Sequence, residues 1–239
     1  MNTSRTTLLL TAAPRELASL AAAWPGNPLP GENLTPVRIT ERLSLASSGV
    51  GKVNASIAVA KLACGAEQVD IINIGLCGSL PCGDQAPSIG DVVLATASIY
   101  ADEGVATPGG FLHLHQMGFP IGVPAFPGSS ITPDPDLLGR LEAALVGDYR
   151  RGAVATVSTC SGTDHLAAEV HARTGAIAEA MEGAAIGHAA ALLGGGRLRF
   201  VEVRVVSNTT GDRARQHWNL SLAFDRMTHI ARRLRECLE

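Results

Sequence analysis

The chain has 239 residues, 46% of them hydrophobic, and 19 basic against 22 acidic residues give a net charge of −3. A sizeable core is within reach, and with no long basic run nucleic acid and anionic membrane surfaces have no electrostatic support as partners. No window approaches the roughly 18 uninterrupted apolar residues of a membrane helix, and the apolar run in "MNTSRTTLLLTAAPREL" is too short for a signal-peptide core.

In chain order, residues 6–11 read as a strand and 14–23 as a helix, with Pro14 suited to the first turn, where no N–H is required. Residues 24–36 hold four prolines and two glycines and read as loop. Residues 37–47 read as a pair of short strands. A helix follows in "GVGKVNASIAVAKLACGA", where Val53, Ile57, Ala60 and Cys64 recur at helical spacing. "VDIINIGL" (69–76) is dense and β-branched, as expected of a strand covered on both faces. "GDVVLATASIY" is another strand, and 103–128, rich in Gly and Pro, reads as a long loop or flap with little regular structure. Then come a helix at 136–146, a strand at 153–158, a helix at 165–173, a short strand at 176–180 and a small-residue helix at 182–193 stopped by glycines. The strand at 200–207 precedes a last helix at 215–238, striped by Leu220, Phe224, Met227, Ala231, Leu234 and Leu238.

This alternation predicts a single α/β domain over 1–239, three layers deep (α/β/α) around a mostly parallel mixed sheet. Ligands of such sheets bind beyond the carboxyl ends of the strands. Three places fit, each a strand breaking into small or polar residues: Gly75 to Gly78, Ser158 to Thr163, and Ser207-Asn208. The five cysteines, 64, 77, 82, 160 and 237, are odd in number and scattered, without a Cys-x-x-Cys pair. They argue against a disulfide framework or zinc site and fit a reducing cytoplasm.

Several local patterns carry little. "SSGVGKVN" fails the phosphate-loop pattern at Ala46 and Val53 and reads as a tight turn feeding a helix N-terminus, where an anion can still sit. His113 and His115 lack a carboxylate or cysteine companion for a metal. Cys160-Ser161-Gly162 lacks the first glycine of a nucleophile elbow, as residue 159 is Thr. "AEAMEGAAIGHAAALL" says more, because Glu182 stands where a strand gives way to a helix of small residues. It reads equally as a first-turn acid favoured by the helix dipole or as a carboxylate gripping two sugar hydroxyls.

Taken together, "SSGVGKVNAS", "NIGLCGSL", "IGDVVLAT", "AEAMEGAA" and "FVEVRVVSN" resemble, in order and spacing, the purine nucleoside phosphorylase superfamily, and within it the nucleosidase branch. The resemblance spans most of the chain. "VSTCSGTD", "HQMGFP" and "VRVVSNTTGDR…W" are most similar to the futalosine hydrolases of menaquinone biosynthesis, with methylthioadenosine/S-adenosylhomocysteine nucleosidases and a catalytically weak nucleoside-binding homologue as alternatives.

The resemblance implies roles residue by residue. Glu182 matches the carboxylate on the ribose 2′- and 3′-hydroxyls, and Met181 the residue under the sugar. Leu76, Cys77 and Gly78 match the turn beside base and ribose. Gly162 and Thr163 fall in the purine-contacting segment, and Trp218 matches an aromatic lining the pocket. Asn208 matches the position facing purine N7, which is Asp in adenine-releasing relatives. Phosphorylases of the superfamily place an arginine just before the central glycine turn; here Asn73-Ile74 stand there, which points to hydrolysis. Glu16 is the candidate for preparing water, although in the register of the related nucleosidases their glutamate falls at Pro14.

These types make chemical sense. Cleavage passes through an oxocarbenium-like sugar, and the purine leaves poorly unless N7 is protonated or held by a donor. Asp can deliver a proton; Asn can only donate and accept hydrogen bonds. Asn208 therefore argues for a 6-oxopurine such as hypoxanthine, by about 1–3 kcal/mol for a matched buried bond. Water and a small nucleoside are the expected partners, with no metal or cofactor. The family implies a homodimer or larger assembly.

Overall fold

The computed structural model describes residues 5–27, 32–123 and 128–238. Residues 1–4 and 239, together with 28–31 and 124–127 inside the two segments read as loops, lie outside the described residues. Strand β1 (Thr6–Thr11) leads into α1 (Pro14–Ala21), with Pro14 opening the helix. The pair β2 (Val37–Arg38) and β3 (Leu43–Ser47) precedes α2 (Lys52–Leu62) and the long strands β4 (Val69–Ser79) and β5 (Val92–Tyr100). A hairpin of β6 (Gly104–Thr107) and β7 (Gly110–His113) stands apart from the main sheet. Then follow β8 (Ser130–Ile131), α3 (Pro135–Ala144), β9 (Arg150–Thr156), α4 (Asp164–Thr174) and β10 (Ala178–Ala180). The chain continues through α5 (Gly183–Gly194), β11 (Leu198–Thr209) and α6 (Leu220–Leu238).

Among the described residues nine strands form one mixed sheet in the order β2-β3-β1-β4-β11-β5-β9-β10, with β8 on β5. Strands β3, β1, β4 and β11 are mutually parallel, whereas β5 runs antiparallel to β11. Alternation along the strands sorts the core into two sides. Leu9, Ile72 and Val201 share one row and pack with α1, α3 and α6. Leu8, Ile71 and Phe200, one row on, pack with α2 and α5. The expected α/β/α sandwich results. Its far half curls: β10 pairs with both β9 and β4, so β4, β11, β5, β9 and β10 close into a ring. No helix among the described residues is long and apolar enough to cross a membrane.

Four expectations need correction. The stripe of Val53, Ile57, Ala60 and Cys64 faces outward, Val53 being 73% exposed. The side of α2 that packs inward is Ala55, Ala58 and Val59, against the equally small face of α5. Residues 103–128 are not structureless, for they contain the β6–β7 hairpin and a short 3-10 turn at Leu114–Met117. There the rings of His113 and His115 stack with centroids 5.8 Å apart.

Two of the three strands also do not break where expected, whereas β9 ends at Thr156, just before Ser158 to Thr163. β4 runs through Gly75 and Gly78 to Ser79. A Cβ at Gly75 would lie 2.8 Å from both Arg204 Nη1 and Glu16 Oε1, so that glycine marks a close approach and no turn. β11 likewise runs past Ser207 to Thr209, with a bulge between Val206 and Asn208. Finally, α6 begins at Leu220, not near Arg215. The Asp212 carboxylate accepts from Ala214 N, and Asn219 Oδ1 accepts from Leu222 N at 3.0 Å, which caps the helix.

Candidate active site

A cavity of about 420 Å³ opens at the carboxyl ends of β1, β4 and β11. Ala12, Ala13 and Glu16 line it from the β1–α1 turn, and Leu76, Cys77 and Gly78 from the end of β4. Glu179, Met181 and Glu182 come from β10 and the start of α5, Ser207 and Asn208 from β11. Cys160, Ser161 and Gly162 bound it on the β9–α4 loop, and Trp218 and Leu220 stand at its mouth, Trp218 46% exposed.

Three carboxylates gather around one fully buried guanidinium. Arg204, in mid-β11, is 1% exposed. Its Nε donates to Glu202 Oε1 at 2.7 Å and its Nη2 to Asn73 Oδ1 at 2.6 Å, and Nη2 lies 3.2 Å from Glu182 Oε2. Glu202 is itself wholly buried and accepts from the Ser98 hydroxyl. These surrounding acids hold the Arg204 guanidinium above its ordinary range against the opposing effect of burial. Glu182 is 3% exposed and accepts from Gly51 N at 3.0 Å. The tight glycine turn before α2 thus directs that helix's N-terminus at the chain's own carboxylate.

Glu16, the third residue of α1, turns back into the cavity. Its Oε2 accepts from Ala12 N at 3.0 Å and Ala13 N at 2.9 Å, and its Oε1 from Leu76 N at 2.8 Å. Burial raises its carboxyl above the ordinary value, outweighing these bonds and the attraction of Arg204. A carboxylate so lifted is a better proton acceptor near neutral pH. Pro14, where the register of the related nucleosidases put the glutamate, only opens the helix.

Asn208 is 8% exposed on the cavity wall. Ser207 Oγ donates to its Oδ1 at 2.8 Å, and its Nδ2 donates to Thr209 O at 2.9 Å. The amide is thereby oriented with one N–H left for a ligand. Trp218 reaches the same wall through a β-bridge to Asn208. Its ring lies under the Arg213 guanidinium at 4.7 Å, and its Nε1 donates to Gln216 Oε1.

The structure brings Asn208, Glu182, Glu16, Met181, Leu76, Cys77, Gly78, Gly162 and Trp218 to one cavity. Thr163 stands off its wall, with Oγ1 accepting from Leu166 N as the N-cap of α4. Sequence reasoning missed Arg204 and Glu179. The first was hidden inside an apolar strand, although Glu202 and Arg204 alternating with valines in "VEVRVV" are themselves a signal of buried charge. Glu179 accepts from Ser161 N at 2.8 Å and Ser161 Oγ at 2.5 Å, and burial raises its carboxyl against those bonds.

The sheet is covered on both faces and partly closed, with a carboxylate-lined cavity at its strand ends, and the model of the phosphorylase superfamily matches residues 6–239. The chain belongs to that superfamily. It is 33% identical over 240 residues to the futalosine hydrolase of Streptomyces coelicolor, covering 97% of this chain and 96% of that one. It is 32% identical over 225 residues to that of Acidothermus cellulolyticus, covering 93% and 87%. In fold it is similar to the Streptococcus pneumoniae MTA/SAH nucleosidase in complex with 8-aminoadenine, with TM-score 0.75, 23% identity and 98% of each chain covered. A futalosine hydrolase mutant of Helicobacter pylori is also similar in fold, with TM-score 0.72 and 17% identity over 98% of this chain and 99% of that one.

Proposed function

We propose that this chain hydrolyses the N-glycosidic bond of futalosine and releases hypoxanthine and dehypoxanthine futalosine. The observation that carries the reading is Asn208, an amide on the cavity wall fixed by Ser207 and Thr209 with one N–H uncommitted. In this scheme that N–H holds N7 and O6 of the departing base, where a 6-aminopurine would oppose donor to donor. Glu182 grips the ribose hydroxyls and, being anionic, favours the positive charge that develops on the sugar. Glu16 takes a proton from water as its oxygen bonds to C1′ and the bond from C1′ to N9 breaks; the base leaves as an anion held by Asn208. Its arrangement supports hydrolysis, because an acid on this wall repels phosphate. For the homo-oligomer that the family implies, Val53 and Ile57 offer apolar surface beside Val50 at the cavity rim.

Purified protein is expected to release hypoxanthine from futalosine in phosphate-free buffer, measured by chromatography beside inosine and methylthioadenosine. A requirement for phosphate would refute hydrolysis, and faster adenine release would transfer the reading to the methylthioadenosine nucleosidases. Asn208→Ala should lower kcat by roughly ten- to hundredfold while leaving the unfolding midpoint nearly unmoved. Unchanged turnover would remove Asn208 from the mechanism.

A further inference from the structure

One cation on the cavity wall has no part in that scheme. Glu16, Glu179 and Glu182 line the cavity, and among the described residues that line it Arg213 is the sole positive charge. Arg204, buried behind them, is already shared between Glu202 and Glu182. Arg213 is exposed and forms no ion pair among the described residues. The acids on the same two loops, Asp164 and Asp212, pair with Arg215 instead.

The chain around Arg213 is nonetheless fixed. Its N–H donates to Gly162 O at 3.0 Å and that of Gly211 to Ser161 O at 3.3 Å, so the turn after β11 is laced to the β9–α4 loop that bounds the cavity. Gln216 completes the lacing, its Nε2 donating to Ser161 O at 3.1 Å and to Gly211 O at 3.0 Å. The Oε1 of the same side chain accepts from Arg213 Nη1 at 2.8 Å and from Trp218 Nε1 at 3.1 Å. One amide thus clamps both the cation and the ring it covers. A guanidinium has five N–H donors. Gln216 takes one of them, and the others have no side-chain or backbone partner among the described residues. An arginine already held in place loses less freedom when it binds a ligand.

A nucleoside with its base at Asn208 and its 2′- and 3′-hydroxyls on Glu182 leaves one sugar carbon, C5′, to carry anything further. The way out for such an arm is the mouth, bounded by Trp218, Leu220 and Val50. There it meets an exposed indole and a cation with donors to spare. An indole suits a flat aromatic group. A guanidinium fork suits a carboxylate, which it binds through two parallel hydrogen bonds. Without that cation an anionic arm would meet only the repulsion of the acids within.

We infer that Arg213 is a specificity-determining residue for the 5′ end of the substrate, where it pairs with a carboxylate borne on an aromatic arm that lies against Trp218, with Gln216 as its positioning residue. The inference rests on the nucleosidase reading of the cavity and extends it from base and ribose to the third part of the ligand. Futalosine, whose 5′ arm ends in a benzoate, has that chemistry; methylthioadenosine, whose arm is a neutral thioether, does not. A forked pair that stays partly in water corresponds to about five- to tenfold in affinity.

The test uses the sugar product, so it needs no turnover. Isothermal titration of the full chain with dehypoxanthine futalosine and with its methyl ester should give about five- to tenfold tighter binding of the acid at low salt. The margin should narrow as sodium chloride is added. In Arg213→Met the acid-to-ester ratio should fall to about one, and in Arg213→Lys, which keeps the charge without the fork, it should lie between. Equal binding of acid and ester by the wild-type protein overturns the inference without any variant. So does an Arg213→Met protein that loses affinity for both alike, the sign of an arginine that only laces two loops together. Ribose 5-phosphate tests the other anion: if it binds more tightly than the acid, the mouth is a phosphate site and the inference falls. Discrimination as expected, with no hypoxanthine released from futalosine, would sink the hydrolase reading and leave this one standing. Release of hypoxanthine with an unchanged acid-to-ester ratio in Arg213→Met would do the reverse.

Discussion

Arg204→Met should lower the unfolding free energy by about 3–5 kcal/mol, the range for removing one partner of a buried ionic cluster. Arg204 is the cation between Glu202 and Glu182, with Glu16 close by across Gly75. Glu202 has no exposure at all, so methionine in place of the guanidinium leaves a buried anion with little beyond Ser98 to oppose it. Urea denaturation with an unchanged m-value would read the loss as a shift in midpoint. The double variant Glu202→Gln/Arg204→Met removes that orphaned charge and should recover part of the stability. A loss below about 1 kcal/mol in the single variant would mean that the cluster is not what holds this end of the sheet.

Glu182→Gln should reduce kcat/KM on futalosine by about 10²–10⁴. The estimate takes two hydrogen bonds from ribose hydroxyls to a carboxylate, each about 1.5–3 kcal/mol. The fold should tolerate the change, because a glutamine carbonyl can still accept from Gly51 N and Arg204 keeps Glu202 and Asn73. The decisive comparison is a substrate lacking the 2′-hydroxyl. Wild type should lose rate when that group is removed, and Glu182→Gln should be nearly indifferent to it. Equal sensitivity in both proteins would detach Glu182 from the sugar.

Much of this arrangement was legible in the sequence, for reasons that differ by element. β1 was readable to the residue because a short apolar run meets Pro14 three positions after its end. Met181 and Glu182 were readable as a pair since the strand-to-helix boundary and the motif coincide. The buried face of α2 was not, because periodicity ranks large apolar residues first. A helix lying against another small-residue helix buries its alanines instead and turns Val53 and Ile57 outward. Arg204 and Glu202 were obscured by the valines around them, since a strand pattern does not say that charges two residues apart will neutralise each other inside. Glu179 looked like the polar member of an alternating strand. What brings it to the cavity wall is its pairing with Gly78, a contact between positions about a hundred residues apart that no local pattern carries.

The ring closed by β10 on β4 bears on how the molecule comes apart. A strand in a closed circuit cannot peel from an edge, so backbone amides around Gly78 and Glu179 exchange with solvent only when the whole circuit opens. The hairpin of β6 and β7, outside the circuit, is free to open by itself. The proposed contacts of Asn208 with the base thus lie on a strand of that circuit. Warming or mild denaturant is therefore expected to open the hairpin before the strands that floor the cavity.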